Sequence, residues 1–533
     1  MLFFSADLWY NIGKGFPAEA SGKITQTTAG AFPPAGRASP SEGSMCLMSN
    51  PNVILLIADD LGYGDLSCYG GVGAPTPNID ALCEQGVRFA DGYSTSAVCT
   101  PARYSVLTGE YPFRNPDTHI LPGDAPCIIG KEQGTLPKIF QKAGYRTAAI
   151  GKWHLGLGSG DLDWNRPISH TPNDVGFDYS YIFPATNDRV PCVYVKDRLV
   201  ENLDENDPIE VSYARECPYD GIPTSERNPE LLRMKHSYGH NNSIINGVGR
   251  IGFMRGGEKA VWRDEDLAER FLAEAEGFIK ADPDKPFFLY YALHQPHVPR
   301  VPNERFAGKS GLGPRGDVIM EMDDCVGQLT AFLEKEGLLD NTILIFTSDN
   351  GPVLDDGYMD DAERRNTMMQ HRPAGPLRGG KYSKFEGGAR IPLILSWKSH
   401  TRPAVSHALV SQVDFAASFA SMLGVELGDW APDSRNILDA LLGESIQGRD
   451  EIFAEAVNKS HFLRRGKWTY MEPSAGPAHD YVTNTELGNS LDHQLYNMDY
   501  DIGQRTNVAE LHPHLVEEMS ARIAEIRASS RTR

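Results

Sequence analysis

The sequence lacks the features that mark nucleic-acid-binding proteins and membrane-spanning proteins. Lysine and arginine total 51 residues against 71 aspartates and glutamates, so the basic surface that releases counterions from nucleic acid is missing. No run of about 18 apolar residues occurs, and a transmembrane span is therefore not predicted. The eight cysteines show no paired C-x-x-C spacing, which leaves no sign of a zinc site and leaves disulfides open.

The first 48 residues also lack the pattern of a signal peptide. Asp7 and Asn11 interrupt the apolar stretch that begins at residues 1–4, and a segment rich in glycine, alanine, serine, proline and threonine follows. A signal peptide needs a continuous apolar core. We interpret residues 1–48 as a disordered leader or an upstream mis-start, with Met45 or Met48 as the initiator. A cytoplasmic location is the default prediction, and a periplasmic or secreted one stays open if the start is wrong.

Four apolar segments predict strands that are buried on both faces of a sheet. They are residues 53–58 (VILLIA), 146–150 (RTAAI), 287–293 (FFLYYAL) and 342–347 (TILIFT). Helices are predicted between them, at residues 136–143, 264–280 and 317–336. This alternation predicts an α/β fold with a doubly wound, mostly parallel sheet and helices on both faces.

The pattern changes after about residue 430. Short strands are predicted at residues 451–456, 461–471 and 494–498, and a closing helix at 515–526. We therefore divide the chain into residues 1–48, a main α/β domain at 49–430 and a smaller α+β domain with an antiparallel sheet at 431–533. Residues 155–284 are a long polar insertion in the main domain, of the kind that often carries specificity.

Polar side chains follow the four predicted strands of the main domain. Ligands bind at the carboxyl ends of such strands, so these side chains are expected to share one site. They are Asp59 and Asp60, Lys152 and His154, His294 and His297, and Asp349 and Asn350. The three carboxylates and one amide of this set are hard oxygen ligands, which favour Ca²⁺ or Mg²⁺ over zinc. Taken alone, either Asp59 with Asp60 or Asp349 with Asn350 could instead be N-capping residues in a loop, without a metal.

Cys99 lies just before a further predicted helix. Pro101 marks the start of that helix, where the helix dipole and free N–H groups favour an anion. Arg103 adds a fixed positive charge one turn on. From these residues alone, a buried and inert cysteine is an equally good interpretation.

Residues 99–103 (CTPAR) resemble the C-x-P-x-R signature of the type I sulfatases, relatives of alkaline phosphatase, and residues 107–109 (LTG) match its extension. A second family signature, GKWHLG, stands intact at residues 151–156, and the resemblance covers roughly residues 50–515. It implies an arylsulfatase-like sulfuric ester hydrolase. In that family a dedicated maturation enzyme oxidises the cysteine, here Cys99, to formylglycine.

The resemblance also implies the residues of the site. A calcium ion, or less readily magnesium, would be held by Asp59, Asp60, Asp349, Asn350 and the formylglycine at position 99. Arg103 and Lys152 would stabilise negative charge, His154 would assist the hydrated formylglycine, and His297 with Lys381 would serve the leaving oxygen. His297 is the better candidate for the general acid.

Three other features of the sequence are interpreted without a catalytic role. His294 matches the family less securely than His297. Thr186 falls where some family members place a hydroxyl near the formylglycine, but it is interpreted as a surface residue. The acidic run Asp355, Asp356, Asp360 and Asp361 is interpreted as a solvated loop. Residues 236–242 are rich in hydrogen-bonding groups, and they form either a sugar subsite or a satisfied polar turn.

The predicted substrate is a sulfated carbohydrate, or less readily a small sulfated molecule. Two other functions stay open at this point. One is a phosphatase, phosphodiesterase or phosphonate hydrolase of the same superfamily, since such enzymes share the metal-bearing strand ends. The other is an inactive protein that binds sulfated glycans, although all of the charged groups named above are present.

Overall fold

The computed structural model describes residues 50–533, and the predictions for residues 1–48 lie outside the described residues. Within the described part, no helix combines the length and apolar character needed to cross a membrane. The seven described cysteines are all free, so none of them forms a disulfide.

The strands and helices are numbered in chain order. The strands are β1 (Asn52–Ala58), β2 (Val87–Phe89), β3 (Gly92–Tyr93), β4 (Arg146–Lys152), β5 (Tyr179–Phe183), β6 (Val195–Lys196), β7 (Leu199–Val200), β8 (Glu210–Ser212), β9 (Ile244–Ile245), β10 (Val248–Gly249), β11 (Phe253–Arg255), β12 (Phe287–Ala292), β13 (Thr342–Ser348), β14 (Leu393–Trp397), β15 (Ala404–Ser406), β16 (Val410–Ser411), β17 (Glu451–Glu455), β18 (His461–Arg465), β19 (Trp468–Met471), β20 (His479–Asp480), β21 (Thr485–Glu486) and β22 (Gln494–Asn497). The helices are α1 (Pro77–Gln85), α2 (Cys99–Thr108), α3 (Leu136–Lys142), α4 (Pro172–Val175), α5 (Leu267–Lys280), α6 (Pro314–Lys335), α7 (Ala362–Met368), α8 (Glu386–Ala389), α9 (Phe415–Leu423), α10 (Leu438–Leu441) and α11 (Pro513–Ala528).

One ten-stranded sheet forms the centre of the fold. Its strand order is β15-β2-β14-β13-β1-β12-β4-β5-β6-β7. The five central strands β13, β1, β12, β4 and β5 run parallel, whereas β14 and β6 pair antiparallel at either side. Each strand predicted for this sheet is present, and the prediction of a mostly parallel sheet is confirmed.

Helices cover both faces of this sheet. Phe287 and Phe288 are consecutive in β12 and therefore point to opposite faces. The Phe287 ring packs against Phe278 of α5, with ring centroids 6.1 Å apart. The Phe288 ring stacks on Phe140 of α3, with centroids 4.3 Å apart. Helices α5 and α3 thus lie on opposite faces, as the doubly wound arrangement predicts.

The register of the central strands brings their carboxyl ends to one level. Ala58 at the end of β1 pairs with Ser348 at the end of β13. Ala292 at the end of β12 pairs with Gly151 of β4. The next residues along the chain are Asp59, Asp349 and Lys152, so the sheet itself delivers these three side chains to one edge. All seven residues of β1 are buried, which anchors the acidic pair at its end.

A second, antiparallel sheet lies in the C-terminal part of the chain. It has the order β17-β18-β19-β22, and α11 follows it. The single strand predicted for residues 461–471 is wrong in one respect: β18 and β19 form a hairpin there, because Gly466 adopts φ +54° and turns the chain. The sheet touches the main domain where Ala97 N donates to Glu455 O at 2.9 Å.

The polar insertion at residues 155–284 contains several ordered elements. Strands β5, β6 and β7 extend the main sheet at one side. Two short antiparallel pairs, β8 with β11 and β9 with β10, follow. Because the insertion begins directly after the carboxyl end of β4, it can contribute side chains to the site described next.

Candidate active site

Three carboxylates meet at the carboxyl edge of the main sheet. Asp59 and Asp60 follow β1 and Asp349 follows β13, and one oxygen from each lies within 4.8 Å of the others. All three are buried. Lys152 Nζ, at the end of β4, lies 2.6 Å from Asp59 Oδ1. The four residues come from the ends of β13, β1 and β4, which lie within four consecutive strands of the sheet with β12 between β1 and β4.

The oxygen atoms of this cluster are suited to a cation. Among the described residues, Asp59 Oδ2 and Asn350 Oδ1 are buried without a hydrogen-bond partner. Asn350 Nδ2 donates to Asp60 Oδ1 at 2.7 Å, which fixes the orientation of the amide. Burial raises the pKa of Asp59 well above its usual range, so a bare carboxylate is costly there. A hard divalent ion would satisfy both orphaned oxygens and reduce this cost.

Cys99 is the first residue of α2, and the whole of that helix is buried. Its Sγ lies within 4.8 Å of ligand atoms of Asp59 and His297. Burial raises the pKa of Cys99 to about 12, although Lys152 and Lys381 act in the opposite direction. The unmodified thiol is therefore protonated at neutral pH, and a protonated thiol is a poor nucleophile.

Arg103 lies one turn into the same helix and connects it to the carboxylates. Its Nε donates to Asp349 Oδ2 at 2.9 Å, and its Nη1 donates to the Tyr290 hydroxyl at 3.3 Å. The Arg103 side chain is fully buried. A buried guanidinium with these partners is held in one orientation, so its positive charge is fixed beside Cys99.

Two histidines flank Cys99. His297 Nδ1 lies 2.6 Å from Val298 O and therefore carries a proton, while Nε2 lies 3.7 Å from Asp60 Oδ2. His154 Nε2 donates to Leu121 O at 3.0 Å, and its Nδ1 has no partner within residues 50–533. Burial lowers the pKa of both imidazoles well below the usual value. His154 Nδ1 is therefore available to accept a proton.

Lys381 lies between two acids. Its Nζ is 2.8 Å from Asp60 Oδ2 and 2.8 Å from Asp356 Oδ2. The interpretation of the acidic run as a solvated loop is wrong for Asp356 and Asp360. Asp356 is buried against Lys381, and Asp360 is buried at 2.7 Å from Arg300 Nη1. Both acids are internal because each has a cation as its partner.

A cavity of about 170 Å³ opens onto these groups. Cys99, His154, His297 and Lys381 line it, so the structure brings these four predicted residues together. Tyr238 and His240 also line it, and they belong to the segment for which a sugar subsite was one of two interpretations. The remaining lining residues were not predicted as members of the site: Ile120, Asp188, Arg189, Ile251, Asp356 and Tyr382, so that with Tyr238 and His240 the lining has eight further residues. Five of these come from the insertion, so the insertion forms one wall of the cavity.

Asp188 and His240 are the centre of that wall. His240 Nε2 lies 2.8 Å from Asp188 Oδ2, and Arg189 Nη1 lies 2.8 Å from Asp188 Oδ1. Thr186 donates to Asp188 and is buried, so its interpretation as a surface residue is wrong. Of the two interpretations of residues 236–242, a segment at the binding cavity fits the structure, because Tyr238 and His240 line it.

His294 takes no part in this cavity. It is buried near the end of β12, and burial lowers its pKa to about 4. The preference for His297 over His294 as the histidine of the site agrees with this placement.

The comparisons with known proteins decide the family. The model of the sulfatase family matches residues 51–425. The chain belongs to the sulfatase family. The resemblance predicted from CTPAR and GKWHLG is thereby confirmed, as is the reaction class of a sulfuric ester hydrolase.

Two curated sulfatases and one solved structure illustrate the similarity. The chain is 48% identical over 479 residues to an N-acetylgalactosamine-6-O-sulfatase of Bacteroides thetaiotaomicron, covering 90% of this chain and 93% of the relative. It is 31% identical to human arylsulfatase A, covering 86% and 83%. A solved structure from work on glycosaminoglycan metabolism by Bacteroides thetaiotaomicron gives a TM-score of 0.88 at 48% identity, covering 90% of this chain and all of that one.

Proposed function

We propose that this sulfatase hydrolyses a 6-O-sulfate ester on an N-acetylgalactosamine-type sugar of a sulfated glycan. The observation that carries the proposal is the 48% identity to an N-acetylgalactosamine-6-O-sulfatase, which extends over 90% of this chain and 93% of that relative. The cavity supports a sugar, because Asp188, Arg189 and His240 offer donors and acceptors for hydroxyl or amide groups on the side away from the sheet.

A calcium ion is proposed as the resident metal. Asp59, Asp60 and Asp349 would hold it, since one oxygen from each lies within 4.8 Å of the others. Asn350 would add its amide oxygen, which like Asp59 Oδ2 has no hydrogen-bond partner in the described chain. When bound, the ion would polarise a sulfate oxygen and neutralise charge on the ester. Cys99 is proposed to be converted to formylglycine by a maturation enzyme, and its hydrated aldehyde would supply the nucleophilic hydroxyl that the protonated thiol cannot.

The residues around position 99 have roles that follow from their positions. Arg103 and Lys152 are buried cations beside the carboxylates, and they stabilise negative charge that develops during the reaction. His154 accepts a proton at Nδ1, which has no partner in the described chain.

Two groups face the leaving oxygen. His297 donates its Nδ1 proton to Val298 O, so Nε2 is the ring nitrogen that can exchange a proton with that oxygen. Because burial lowers the pKa of His297, Nε2 would have to take up a proton before His297 could act as the general acid. Lys381 lies on the same side of the cavity and adds positive charge there.

The substrate is tested by incubating the purified protein, with calcium, with three monosaccharides: N-acetylgalactosamine 6-sulfate, N-acetylgalactosamine 4-sulfate and N-acetylglucosamine 6-sulfate. We expect the kcat/KM for sulfate release from N-acetylgalactosamine 6-sulfate to be at least tenfold above the values for the other two sugars. Equal turnover of N-acetylgalactosamine 4-sulfate would contradict the proposed 6-O position of the sulfate. Preference for N-acetylglucosamine 6-sulfate would contradict N-acetylgalactosamine as the proposed sugar. Preference for an aryl phosphate over an aryl sulfate would favour the phosphatase alternative.

Formylglycine is tested by peptide mass analysis of the segment that contains Cys99. The active protein is expected to carry the aldehyde or its hydrate at position 99. A free thiol at that position in fully active protein would exclude this nucleophile. Cys99→Ala is the matched variant, and it is expected to have no measurable sulfatase activity.

A further inference from the structure

Asp356 is a buried carboxylate of the cavity that none of the roles above uses. Three donors surround it: Lys381 Nζ at 2.8 Å, the Tyr238 hydroxyl at 3.1 Å and the Tyr382 hydroxyl at 3.2 Å. Its oxygens are thus already engaged by protein groups. A carboxylate that accepts hydrogen bonds from three protein donors fixes the orientation of those donors.

The neighbour that matters most is Lys381. Its ammonium is shared equally, at 2.8 Å each, between Asp60 of the carboxylate cluster and Asp356. If Asp356 were neutral, the ammonium would pair with Asp60 alone and would be drawn toward that cluster. Asp356 therefore holds the Lys381 charge on the cavity side, where the leaving oxygen of a substrate would lie.

The insertion in turn holds Asp356. Ser237 N donates to Gly357 O at 2.9 Å, and Met359 N donates to Lys235 O at 2.9 Å, so the two segments run side by side. Ser237 Oγ also donates to Asp355 Oδ1 at 2.7 Å. Between these bonds, the Tyr238 hydroxyl reaches the Asp356 carboxylate. The wall formed by the insertion is thereby bonded to the residue that orients Lys381.

We propose that Asp356 is a positioning residue that holds the Lys381 ammonium toward the leaving group, and that Tyr238 of the insertion orients Asp356 for this task. The proposal rests on the proposed sulfatase function of this site. Residues 235–240 would thus affect catalysis through Asp356, in addition to any contact that they make with the sugar. It also predicts that Asp356 weakens the binding of anions, because it places a fourth carboxylate beside the three of the cluster.

The test uses Asp356→Asn in the full-length, calcium-loaded protein. We expect kcat to fall about 30-fold because Lys381 moves toward Asp60. We expect the affinity for inorganic sulfate, measured by calorimetry, to rise about tenfold because a negative charge has left the cavity. A loss of structure alone would weaken sulfate binding, so opposite changes in kcat and sulfate affinity identify positioning.

Asp355→Asn is the matched control. Asp355 is the preceding residue in the same loop, it bonds Ser237 and the Gly357 N–H, and it has no contact with Lys381 among its hydrogen bonds and ion pairs in the described chain. The control is expected to keep kcat and sulfate affinity within twofold of the wild-type values. Equal effects of the two variants would overturn the proposal, because they would show a general effect of charge or of the loop.

Tyr238→Phe tests the second half of the proposal without changing any charge. We expect kcat to fall about fivefold, with sulfate affinity within twofold of wild type. Unchanged kcat would overturn the role of Tyr238, and unchanged kcat and sulfate affinity in Asp356→Asn would overturn the role of Asp356. If Asp356→Asn does not fold, as judged by circular dichroism, the Tyr238→Phe result decides.

Failure of the proposed function can be told apart from failure of this inference. A wild-type protein that releases no sulfate from any sulfated sugar or aryl sulfate would contradict the proposed function. The calorimetric measurement of sulfate binding does not depend on turnover. The sulfate affinities of Asp356→Asn and Asp355→Asn would therefore still show whether Asp356 opposes anion binding.

Discussion

His240 Nε2 lies 2.8 Å from Asp188 Oδ2 on the wall of the cavity that contains Cys99. The two residues are 52 positions apart, and both belong to the insertion. Arg189 Nη1 lies 2.8 Å from the other oxygen of the Asp188 carboxylate. These paired polar groups line the same cavity as Cys99, and under the proposed function they would recognise the sugar.

Asp188→Asn is expected to lower kcat/KM for the sulfated sugar by about 10- to 100-fold, because a site built to hydrogen-bond a polar group discriminates strongly. Turnover of a small aryl sulfate is expected to change by less than threefold, since that substrate does not reach the wall. Steady-state kinetics with both substrates checks this. Asp163→Asn, at an exposed acid of the same insertion, is the matched control, and equal losses on both substrates would contradict a role in sugar recognition.

Arg103→Lys is expected to lower kcat/KM by about 100-fold although the charge is kept, because lysine cannot reproduce the bonds to Asp349 and Tyr290. Kinetics with a sulfated sugar and with an aryl sulfate should show the same loss, since the guanidinium lies beside the reacting group. Activity within threefold of wild type would show that only the charge matters at this position.

Removal of calcium with a chelator is expected to lower the unfolding temperature, because the proposed ion would bind the carboxylate cluster in the folded state only. Binding at one hundred times Kd would stabilise the fold by about 2.7 kcal/mol. Differential scanning calorimetry with and without added calcium measures the shift. Asp60→Asn should reduce the calcium-dependent shift, whereas Asp361→Asn, at an exposed acid, should preserve it. A shift that survives in Asp60→Asn would place the ion elsewhere.

Glu321 is expected to make stability fall between about pH 4.5 and pH 7. Burial raises the pKa of this carboxyl to about 7 from 4.5, while the Asn303 N–H and Gln295 side-chain amide act in the opposite direction. The folded state therefore retains a proton that the unfolded chain releases in this window, and stability is lost as pH rises through it. The full effect is about 3 kcal/mol.

Glu321→Gln should remove this part of the pH dependence, because the amide cannot titrate. Urea unfolding at pH 5 and pH 8 compares the variant with the wild type, and the variant should lose less stability between the two values. Glu334→Gln, at an exposed position of the same helix α6, should behave as the wild type does. Parallel profiles for all three proteins would contradict the assignment.

Much of the fold could be predicted from the sequence because the central strands are buried on both faces. The sequence of such a strand is a continuous run of apolar residues, and polar residues follow each run at the edge of the sheet. Asp59 and Asp349 could be assigned to one site for this reason, since parallel strands end together. The division at residue 430 and the cytoplasmic location remain predictions.

The wall of the cavity could not be predicted in the same way. Asp188 and His240 lie in a segment without long strands, where no periodicity relates one residue to another. Asp356 was misinterpreted because an acidic run is usually solvated, and its burial depends on Lys381, which lies 25 positions further on. Long-range partners of this kind have no local signal in one sequence.

The burial of α2 has a consequence for the order of events during synthesis. All ten residues from Cys99 to Thr108 are buried, and Cys99 is only 2% exposed. A maturation enzyme that must enclose Cys99, Pro101 and Arg103 has no access to them in the finished fold. Oxidation of Cys99 would therefore have to precede the burial of this helix. Supply of the maturation enzyme at the time of translation, rather than afterwards, would then set the fraction of active molecules.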